Sequence, residues 1–301
     1  PGGSEYDVQW MAEEVYRRGH GVMVLSDVHQ GEDNDIQVTS DYSVAFEYQW
    51  DLIVVHGSAS TQNIIHVNAE RIQSPILYLV IKPDNSPMIR YSIEHIKYIG
   101  CATQADRDCI TAMGKANKIV PYGYGIPVNS KGRPGFRKLH GINSNRIFLS
   151  AGGYWPHKQM QELKDAFLEA NVPDTTLVLM GYDNRHNLKP VEEPSVRVID
   201  GTREDVLSAM SESDLYILNS NDEGYGLVLL ESMYNGLQWT SRPVGGAPDL
   251  AGYGHIHNTR EDLIQYMKTF NADDRLKNEI REIAENNFTI EHTIKYIESL
   301  L

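Results

Sequence analysis

The chain lacks several features that mark common classes of protein. No stretch approaches the ~20 consecutive apolar residues that a membrane-spanning helix needs, and no signal-peptide pattern opens the sequence. Cysteine is scarce, since Cys101 and Cys109 are the only two in 301 residues. We expect both to be reduced, as in a cytosolic protein, rather than to form a redox pair or a metal site. These absences favour a soluble, cytoplasmic protein.

Positive charge is also in short supply. The sequence holds 27 lysine and arginine residues against 41 aspartate and glutamate residues, which gives a formal net charge of −14. A nucleic-acid-binding protein usually carries a basic face, and an anionic bilayer would repel this chain. We therefore expect no nucleic-acid partner and no transmembrane segment.

Several motifs that identify other enzyme classes are missing. The opening residues 1–4 lack the G-x-G-x-x-G spacing of NAD-dependent dehydrogenases, and no G-x4-G-K-[ST] loop predicts a P-loop kinase. No HExxH motif or Cys/His cluster predicts a zinc site. Asp33-Asn-Asp35 fits the letters of a D-x-D metal site, but no strand is predicted to lead into it, which favours a solvated turn. We expect no metal to be required.

What the chain does contain is an alternation of short apolar runs and helical patterns, which is typical of βαβ units with parallel sheets. Prolines and glycines concentrated between 121 and 144 interrupt this alternation and predict a connection between two α/β domains. The predicted strands cover 21–26, 52–56, 75–81, 96–102, 118–121, 146–151, 176–181, 195–199, 215–219 and 238–241. The predicted helices cover 8–16, 104–113, 160–170, 204–210, 226–235, 261–270, 274–286 and 291–301.

The predicted domain boundaries follow from this alternation. A first domain covers 1–130, a linker 131–145 and a second domain 146–286, and the last helix covers 287–301. Because the chain opens on proline at a glycine-rich turn, we expect that a strand preceding residue 1 is missing. In such α/β domains, ligands bind at the carboxyl ends of parallel strands.

The most informative segment is 219–236, with the sequence NSNDEGYGLVLLESMYNG. A predicted strand ends at Asn219, a loop with two glycines follows, and a helix starts near Gly226. Glycines let the backbone approach a ligand, and the N–H groups of a helix start favour phosphate. Glu223 in the loop and Glu231 in the helix can then face one cleft as acceptors for sugar hydroxyls. The alternative is a loop carboxylate and a solvated helix carboxylate beside glycines that merely make the turn.

This segment resembles the E-x7-E signature of retaining GT-B glycosyltransferases, in particular glycosyltransferase family 4. The shared positions are the two acids, the glycines, the aromatic residue, the leucine and the methionine. Similarity to the family extends over nearly the whole chain, with further matching segments at 1–5, 18–24, 51–56, 121–126, 150–158, 211–216 and 288–289.

The resemblance implies an α/β fold of the GT-B type. Two Rossmann-like domains would face each other, with the acceptor mainly on the first and the nucleotide-sugar donor on the second. The C-terminal helix would cross back to the first domain. The implied activity is transfer of a sugar from a nucleotide-sugar donor to a carbohydrate or glycoconjugate acceptor, with retention of anomeric configuration and without a cofactor.

The resemblance also implies roles for single residues. Glu231 would bind the ribose hydroxyls, Glu223 would hold the donor sugar at the reaction centre, and Lys158 would neutralise the diphosphate. Backbone groups near the sugar and phosphates would come from Gly2, Gly3, Gly224, Tyr225, Gly226 and Leu227.

The chain departs from the family pattern at several positions. Gly153 stands where the family usually has an arginine, so Lys158, the helix start or another basic residue such as Arg242 must meet the diphosphate charge. Lys82 replaces a family histidine on the acceptor side, and His56 is a substitute candidate for that role. A histidine that ends a buried strand is, however, more often structural.

Two alternatives keep the fold and change the function. One is a nucleotide-sugar 2-epimerase of similar architecture, and the other is a non-catalytic GT-B protein that binds a nucleotide sugar without turnover. The sequence identifies neither the base nor the sugar nor the acceptor.

Overall fold

The computed structural model describes residues 3–26, 31–33, 35–56, 67–80, 93–181 and 187–301. The chain divides into two compact units. The first consists of Pro1–Pro127 together with Phe288–Leu301, and the second of Val128–Asn287. No helix in the described ranges is long and apolar enough to cross a membrane.

The first unit is built around a four-stranded parallel sheet. In chain order its described elements are α1 (Gly3–Arg17), β1 (Met23–Leu25), β2 (Gly31–Asp33), β3 (Ile36–Thr39), α2 (Val44–Glu47), β4 (Ile53–His56), β5 (Ile76–Leu79), β6 (Tyr98–Cys101), α3 (Gln104–Ala112) and β7 (Ile119–Pro121). The sheet order is β4-β5-β6-β7, and every neighbouring pair is parallel. All four residues of β5 are buried, as expected for a strand covered on both faces.

A separate three-stranded sheet has the order β1-β3-β2, with β1 and β3 parallel and β2 antiparallel to β3. The sequence did not predict β2 or β3. The turn that carries the letters D-x-D lies between them, since Asp33 pairs with Ile36 and Asp35 adopts φ 67°. Strand β2 therefore leads into these residues, and the exposed Asp35 is consistent with the predicted solvated turn.

The second unit alternates strands and helices more regularly. Its described elements are α4 (Phe136–Leu139), β8 (Arg146–Ala151), α5 (Met160–Ala170), β9 (Thr175–Gly181), β10 (Val196–Asp200), α6 (Arg203–Ser211), β11 (Leu215–Leu218), α7 (Leu227–Tyr234), β12 (Gln238–Ser241), β13 (His255–Ile256), α8 (Arg260–Thr269) and α9 (Asp274–Asn287). The predicted limits of β8, α5 and β12 are confirmed to the residue, and β13 was not predicted.

The six strands of this unit form one parallel sheet with the order β10-β9-β8-β11-β12-β13. Renumbered within the unit, this is the order 3-2-1-4-5-6 of the Rossmann fold. The chain reverses its direction of winding between β8 and β11. That switch point is where open α/β sheets bind ligands, outside the carboxyl ends of the strands.

Residues 131–145, predicted as a linker, lie within the second unit. The Glu212 carboxylate accepts hydrogen bonds from the backbone N–H groups of Gly135 and Arg137, both at 2.7 Å, and so holds the start of α4. Gly132 packs so closely on α6 that a Cβ there would lie 1.8 Å from the Leu207 carbonyl oxygen. This stretch is therefore a packed part of the unit.

The last helix, α10 (Ile290–Glu298), belongs to the first unit. It packs on α1, and Arg18 forms an ion pair with Glu298 at 2.8 Å. The Thr293 hydroxyl donates to the Gly123 carbonyl at 2.7 Å. The chain thus returns to its first unit after completing the second.

Candidate functional site

The candidate site lies at the switch point of the second unit. Lys158 follows β8, and Glu223 follows β11, the strand that pairs with β8. A backbone hydrogen bond of 2.8 Å from Asn221 to the carbonyl of His157 ties the two following loops together. Residues that are 65 positions apart in sequence therefore meet at one edge of the sheet.

Lys158 and Glu223 form a partly buried ion pair. The lysine Nζ donates to Oε1 of Glu223 at 2.6 Å, and the two side chains are 18% and 11% exposed. Among the described residues, no other group hydrogen-bonds to this carboxylate. The pair places one positive and one negative group where a phosphate and a sugar hydroxyl could each find a partner.

The glycine at position 153, where the family usually has an arginine, is enforced by packing. A Cβ there would lie 2.4 Å from Nε1 of Trp155, so no larger residue fits unless the indole moves.

The glycine-rich loop before α7 has a defined geometry. Gly226 caps the helix with φ 87°, a conformation that side chains rarely adopt. Tyr225 packs against the 245–246 turn, where Gly246 N–H donates to the Tyr225 carbonyl at 2.8 Å. A Cβ on Gly245 would lie 2.7 Å from that carbonyl oxygen, and a Cβ on Gly246 would lie 2.5 Å from the Tyr225 ring. The loop that presents Glu223 is therefore held in place by close backbone packing.

Glu231, on α7, is buried with 8% of its surface exposed, so it is not the solvated helix carboxylate of the alternative interpretation. Arg203 Nε and Nη2 both lie 2.8 Å from Oε1 of Glu231, and Nη2 also donates to Ser130 Oγ at 2.9 Å. Burial raises the pKa of Glu231, while the charge and hydrogen bond of Arg203 act to lower it.

Tyr216, on β11, links this region to the end of β8. Its hydroxyl donates to the carbonyl of Ala151 at 3.0 Å and accepts from the N–H of the same residue at 3.2 Å. Burial raises the pKa of Tyr216, and the charges of Glu223 and Glu231 raise it further. Both carboxylates therefore act electrostatically on one buried hydroxyl.

Arg242 is already engaged by other side chains. Its guanidinium donates to Asn219, Asn221 and the Glu162 carboxylate. Behind it, His257 donates from Nε2 to Asn219 at 3.3 Å, and burial lowers the pKa of His257 to about 4. Arg242 thus helps to fix the strand end that leads into the motif.

In the first unit, His56 ends β4 and lies beside Asp7 of α1. Their Nε2 and Oδ2 atoms are 3.0 Å apart, and the side chains are 5% and 0% exposed. The contact has the distance of an ion pair but not the geometry of a hydrogen bond, and neither Asp7 oxygen has a hydrogen-bond partner among the described residues. Gly3 begins α1, whereas Gly2 and Lys82 lie outside the described residues.

Other features of the described chain do not bear on this site. No group of three or more His, Cys, Asp or Glu side chains that could hold a metal ion occurs in the described ranges. A cavity of about 590 Å³ is lined by residues near the amino ends of β8 and β9, opposite the switch point. Cys101 and Cys109 form no disulfide, and burial raises the pKa of Cys101 to about 12.

Residues 133–299, more than half of the chain, match the sequence profile of the family Glycosyl transferases group 1. The chain belongs to this family. The match covers the whole E-x7-E segment and both side chains of the Lys158–Glu223 pair.

A curated relative of the chain is distant in sequence. N-acetyl-alpha-D-glucosaminyl L-malate synthase of Bacillus anthracis is 25% identical in an alignment of 186 residues, and the match covers 54% of this chain and 47% of that protein. The chain therefore spans about half the length of the curated relative that it matches.

Solved structures show the same fold. Anabaena HepE in complex with UDP and glucose matches 100% of this chain and 96% of its own, with a TM-score of 0.79 and 20% identity. Sucrose-phosphate synthase from Thermosynechococcus elongatus matches 99% of this chain and 92% of its own, with a TM-score of 0.76 and 14% identity. The chain has the α/β fold of the GT-B glycosyltransferases.

Sequence reasoning missed several residues of the site in this group 1 glycosyl transferase. Arg203, Ser130 and Tyr216 lie outside the E-x7-E segment, and nothing in their spacing marks Arg203 as the partner of Glu231, Ser130 as the partner of Arg203 or Tyr216 as a neighbour of the two carboxylates. Thr202 and Asp205 do form a recognisable capping box around Arg203, which signals a helix start at the ligand-binding edge.

Proposed function

We propose that the protein transfers a sugar from a nucleotide-sugar donor to an acceptor hydroxyl, with retention of anomeric configuration, as in glycosyltransferase family 4. The observation that carries this proposal is the convergence of Lys158 and Glu223 at the switch point of a Rossmann-type sheet. Glu231 and the start of α7 belong to the same segment. Membership of the group 1 glycosyl transferases supports the reaction class.

In this proposal each group has a separate task. Glu231 accepts the ribose hydroxyls, Glu223 accepts hydroxyls of the donor sugar, and Lys158 contacts the diphosphate. Backbone groups of residues 224–227 line the sugar and the phosphates. The acceptor binds on the first unit, where His56 and Lys82 are candidates for contact.

Departure of the nucleoside diphosphate is the step that most needs assistance. Negative charge develops on the leaving phosphate oxygens as the glycosidic bond breaks and the acceptor oxygen attacks from the same face. In this proposal, Lys158 and the N–H groups at the start of α7 stabilise this charge from positions that they hold before the reaction begins. Such preorganised stabilisation is usually the largest catalytic contribution, and we propose that it operates here without a metal ion.

A uridine nucleotide is the first donor type to test. HepE was solved with UDP-glucose as well as with UDP and glucose, and its fold matches this chain over its whole length. We place the reaction in the cytoplasm, which suits a chain whose two cysteines form no disulfide.

The test is an NMR assay of the product formed from a panel of nucleotide sugars, with and without EDTA. We expect retained anomeric configuration and a rate that chelation changes little. Inverted product would overturn the retaining mechanism, and activity abolished by EDTA would overturn the metal-free mechanism. An epimerised nucleotide sugar would identify an epimerase instead, and binding without turnover would identify a non-catalytic protein.

A further inference from the structure

Arg203 occupies the first position of α6, directly after the loop that leaves β10. The preceding Thr202 and the following Asp205 form a reciprocal capping box, in which each side chain accepts from the other residue's backbone N–H. This arrangement fixes the backbone of the helix start. Arg203 therefore projects from the carboxyl edge of the same sheet that carries Lys158 and Glu223.

The guanidinium of Arg203 lies between Glu231 and Ser130. Two of its nitrogens, Nε and Nη2, are each 2.8 Å from Oε1 of Glu231, and Nη2 reaches Ser130 Oγ at 2.9 Å. Among the described residues, nothing hydrogen-bonds to the second carboxylate oxygen, Oε2. Although Oε2 has no hydrogen-bond partner there, it is not a fully buried atom, so it keeps some exposed surface.

Ser130 is itself fixed to the helix that carries Glu231. Asn235, one residue beyond α7, donates to the Ser130 carbonyl at 2.9 Å and accepts from the Gly132 N–H at 2.8 Å. The serine is fully buried. The guanidinium thus has one partner on α7 and another on a segment that is bonded to the end of the same helix.

We propose that Arg203 is a positioning residue for nucleotide binding, which holds Oε1 of Glu231 so that Oε2 is directed to the ribose hydroxyls. The proposal rests on the role of Glu231 in the proposed function. It assigns Arg203 no contact with the substrate. Ser130 keeps the guanidinium in place from the opposite side.

The electrostatics of the pair explain why such a residue is needed. An ionised carboxylate accepts a hydroxyl hydrogen bond more strongly than a neutral acid does. Burial raises the pKa of Glu231 and so favours the neutral acid, whereas Arg203 favours the ionised form. Other ionisable groups on neighbouring elements include Tyr216 of β11, on which Glu223 and Glu231 both act, and Glu204 and Asp205 of α6, and Arg281 of α9 bonds the Asn235 carbonyl at the end of α7.

The test measures how strongly the protein distinguishes a ribose from a ribose without its hydroxyls. Affinities for UDP, GDP and ADP are compared by calorimetry with those for their 2′,3′-dideoxy analogues. In the wild-type protein, loss of the hydroxyls should weaken binding of the recognised nucleotide by about 10- to 100-fold, the range for hydrogen bonds to a charged group. Glu231→Ala should reduce this ratio to within about threefold.

Arg203→Met should also reduce the ratio to within about threefold, although it leaves Glu231 in place. Arg203→Lys should give an intermediate ratio, because an ammonium keeps the charge but cannot place two nitrogens on one oxygen. Arg146→Met is the matched control, since the Arg146 guanidinium bonds the Phe270 and Pro173 carbonyls at the amino end of the sheet. It should keep the wild-type ratio.

A pH series separates positioning from a merely structural role. Any discrimination that Arg203→Met retains should disappear at a higher pH than in the wild type, because Glu231 without Arg203 becomes protonated at a higher pH. Arg203→Lys should keep the wild-type pH profile. Thermal unfolding of each variant monitors folding, and Arg203→Lys remains informative if Arg203→Met does not fold.

The outcomes distinguish a failure of the proposed function from a failure of the inference about Arg203. The proposed role of Glu231 fails if the wild type binds each nucleotide and its dideoxy analogue equally well. It also fails if Glu231→Ala leaves the ratio of these affinities unchanged. If Glu231→Ala removes the discrimination but both Arg203 variants keep the wild-type ratio, the inference about Arg203 fails and the proposed function stands.

Discussion

Glu223 and Glu231 lie at the same edge of one sheet. Oε1 of each carboxylate accepts a hydrogen bond from a different basic side chain. Glu223 has the flexible ammonium of Lys158, and Glu231 has the planar guanidinium of Arg203. An ammonium is a point charge that can move to a phosphate, whereas a guanidinium that contacts two side chains is fixed. The two carboxylates are therefore suited to different parts of one ligand.

Glu223→Gln is expected to leave the affinity for nucleoside diphosphate within about threefold of the wild type and to abolish turnover. The amide keeps the shape of the side chain but removes the charge that accepts sugar hydroxyls. Calorimetry with the recognised nucleotide and a product-release assay measure the two effects. Glu169→Gln, at an exposed ion pair with Arg260, is the control. Wild-type turnover in Glu223→Gln would exclude this carboxylate from the reaction.

Lys158→Ala is expected to weaken nucleoside diphosphate binding, with an effect that shrinks as the salt concentration rises. Part of the attraction between the ammonium and the diphosphate is Coulombic and is screened by ions. Lys131→Ala is the matched control, because it removes the same charge from an exposed pair with Glu285 in the same unit. Equal losses in the two variants, or a loss independent of salt, would contradict the direct phosphate contact.

At the scale of elements, residues 128–132 connect the chain entering the second unit to two of its helices. Tyr234 of α7 donates to the Val128 carbonyl at 2.7 Å, and Arg203 of α6 reaches Ser130. Gly132 lies directly on the Leu207 carbonyl of α6. The segment therefore fixes α6 and α7, the helices that carry Arg203 and Glu231, relative to each other.

Gly132→Ala is expected to lower the free energy of unfolding of the second unit by about 3 kcal/mol, at the upper end of the usual cost of overpacking. The added Cβ would lie 1.8 Å from the Leu207 carbonyl oxygen, and backbone must move to accept it. Gly252→Ala is the control, because nothing lies within 4 Å of a Cβ there. Denaturant titration measures the free energy of unfolding of both variants. Equal values would show that residues 128–132 can shift at little cost.

The sequence predicted helices and strands well where a hydrophobic pattern extended over several residues and ended at turn-forming residues. Helix α5 has a helical period over several residues, and strand β8 is a short, mainly apolar run that is buried from its second residue onward; both end at turn-forming positions, and their limits are confirmed. Strands β2 and β13 have three and two residues, which is too short for any period to be visible. β2 pairs with the adjacent β3, and β13 pairs with β12 about one short segment earlier in the chain, so both depend on pairing rather than on a pattern of their own.

The candidate site was predictable to the extent that a contiguous segment encodes it. Glu223, Glu231 and the glycines between them stand in one motif, and Lys158 stands in another. The contacts of Arg203 with Glu231 and Ser130 span 28 and 73 positions. No local pattern specifies them, because they arise only when the strand order brings separate loops to one edge.

At the scale of the whole molecule, the buried His257 makes stability depend on pH. Its pKa is depressed to about 4 in the folded protein, against about 6.5 when unfolded. The stabilisation is fully present above about pH 6.5, and it is lost as the pH falls towards 4, because the unfolded chain takes up the proton first. The total loss is on the order of 3 kcal/mol.

His257→Gln keeps an amide that can bond Thr240 and Asn219, as the imidazole does, but it does not titrate. We expect the variant to lose less stability than the wild type between pH 6.5 and pH 4. Denaturant titrations at several pH values measure the difference. If the free energy of unfolding changed with pH equally in the two proteins, His257 would take up its proton as readily in the folded protein as in the unfolded chain.

The strand order of the second unit also has a consequence for how the protein folds. The Lys158–Glu223 pair closes a loop of 65 positions, and it depends on β11 inserting beside β8 after β9 and β10 have been placed on the other side. Contacts between such distant parts of a chain form slowly, because the entropy of closing the loop is lost before they contribute. The proposed nucleotide site should therefore be among the last parts of the unit to assemble. Recovery of nucleotide binding during refolding should lag behind recovery of helical structure.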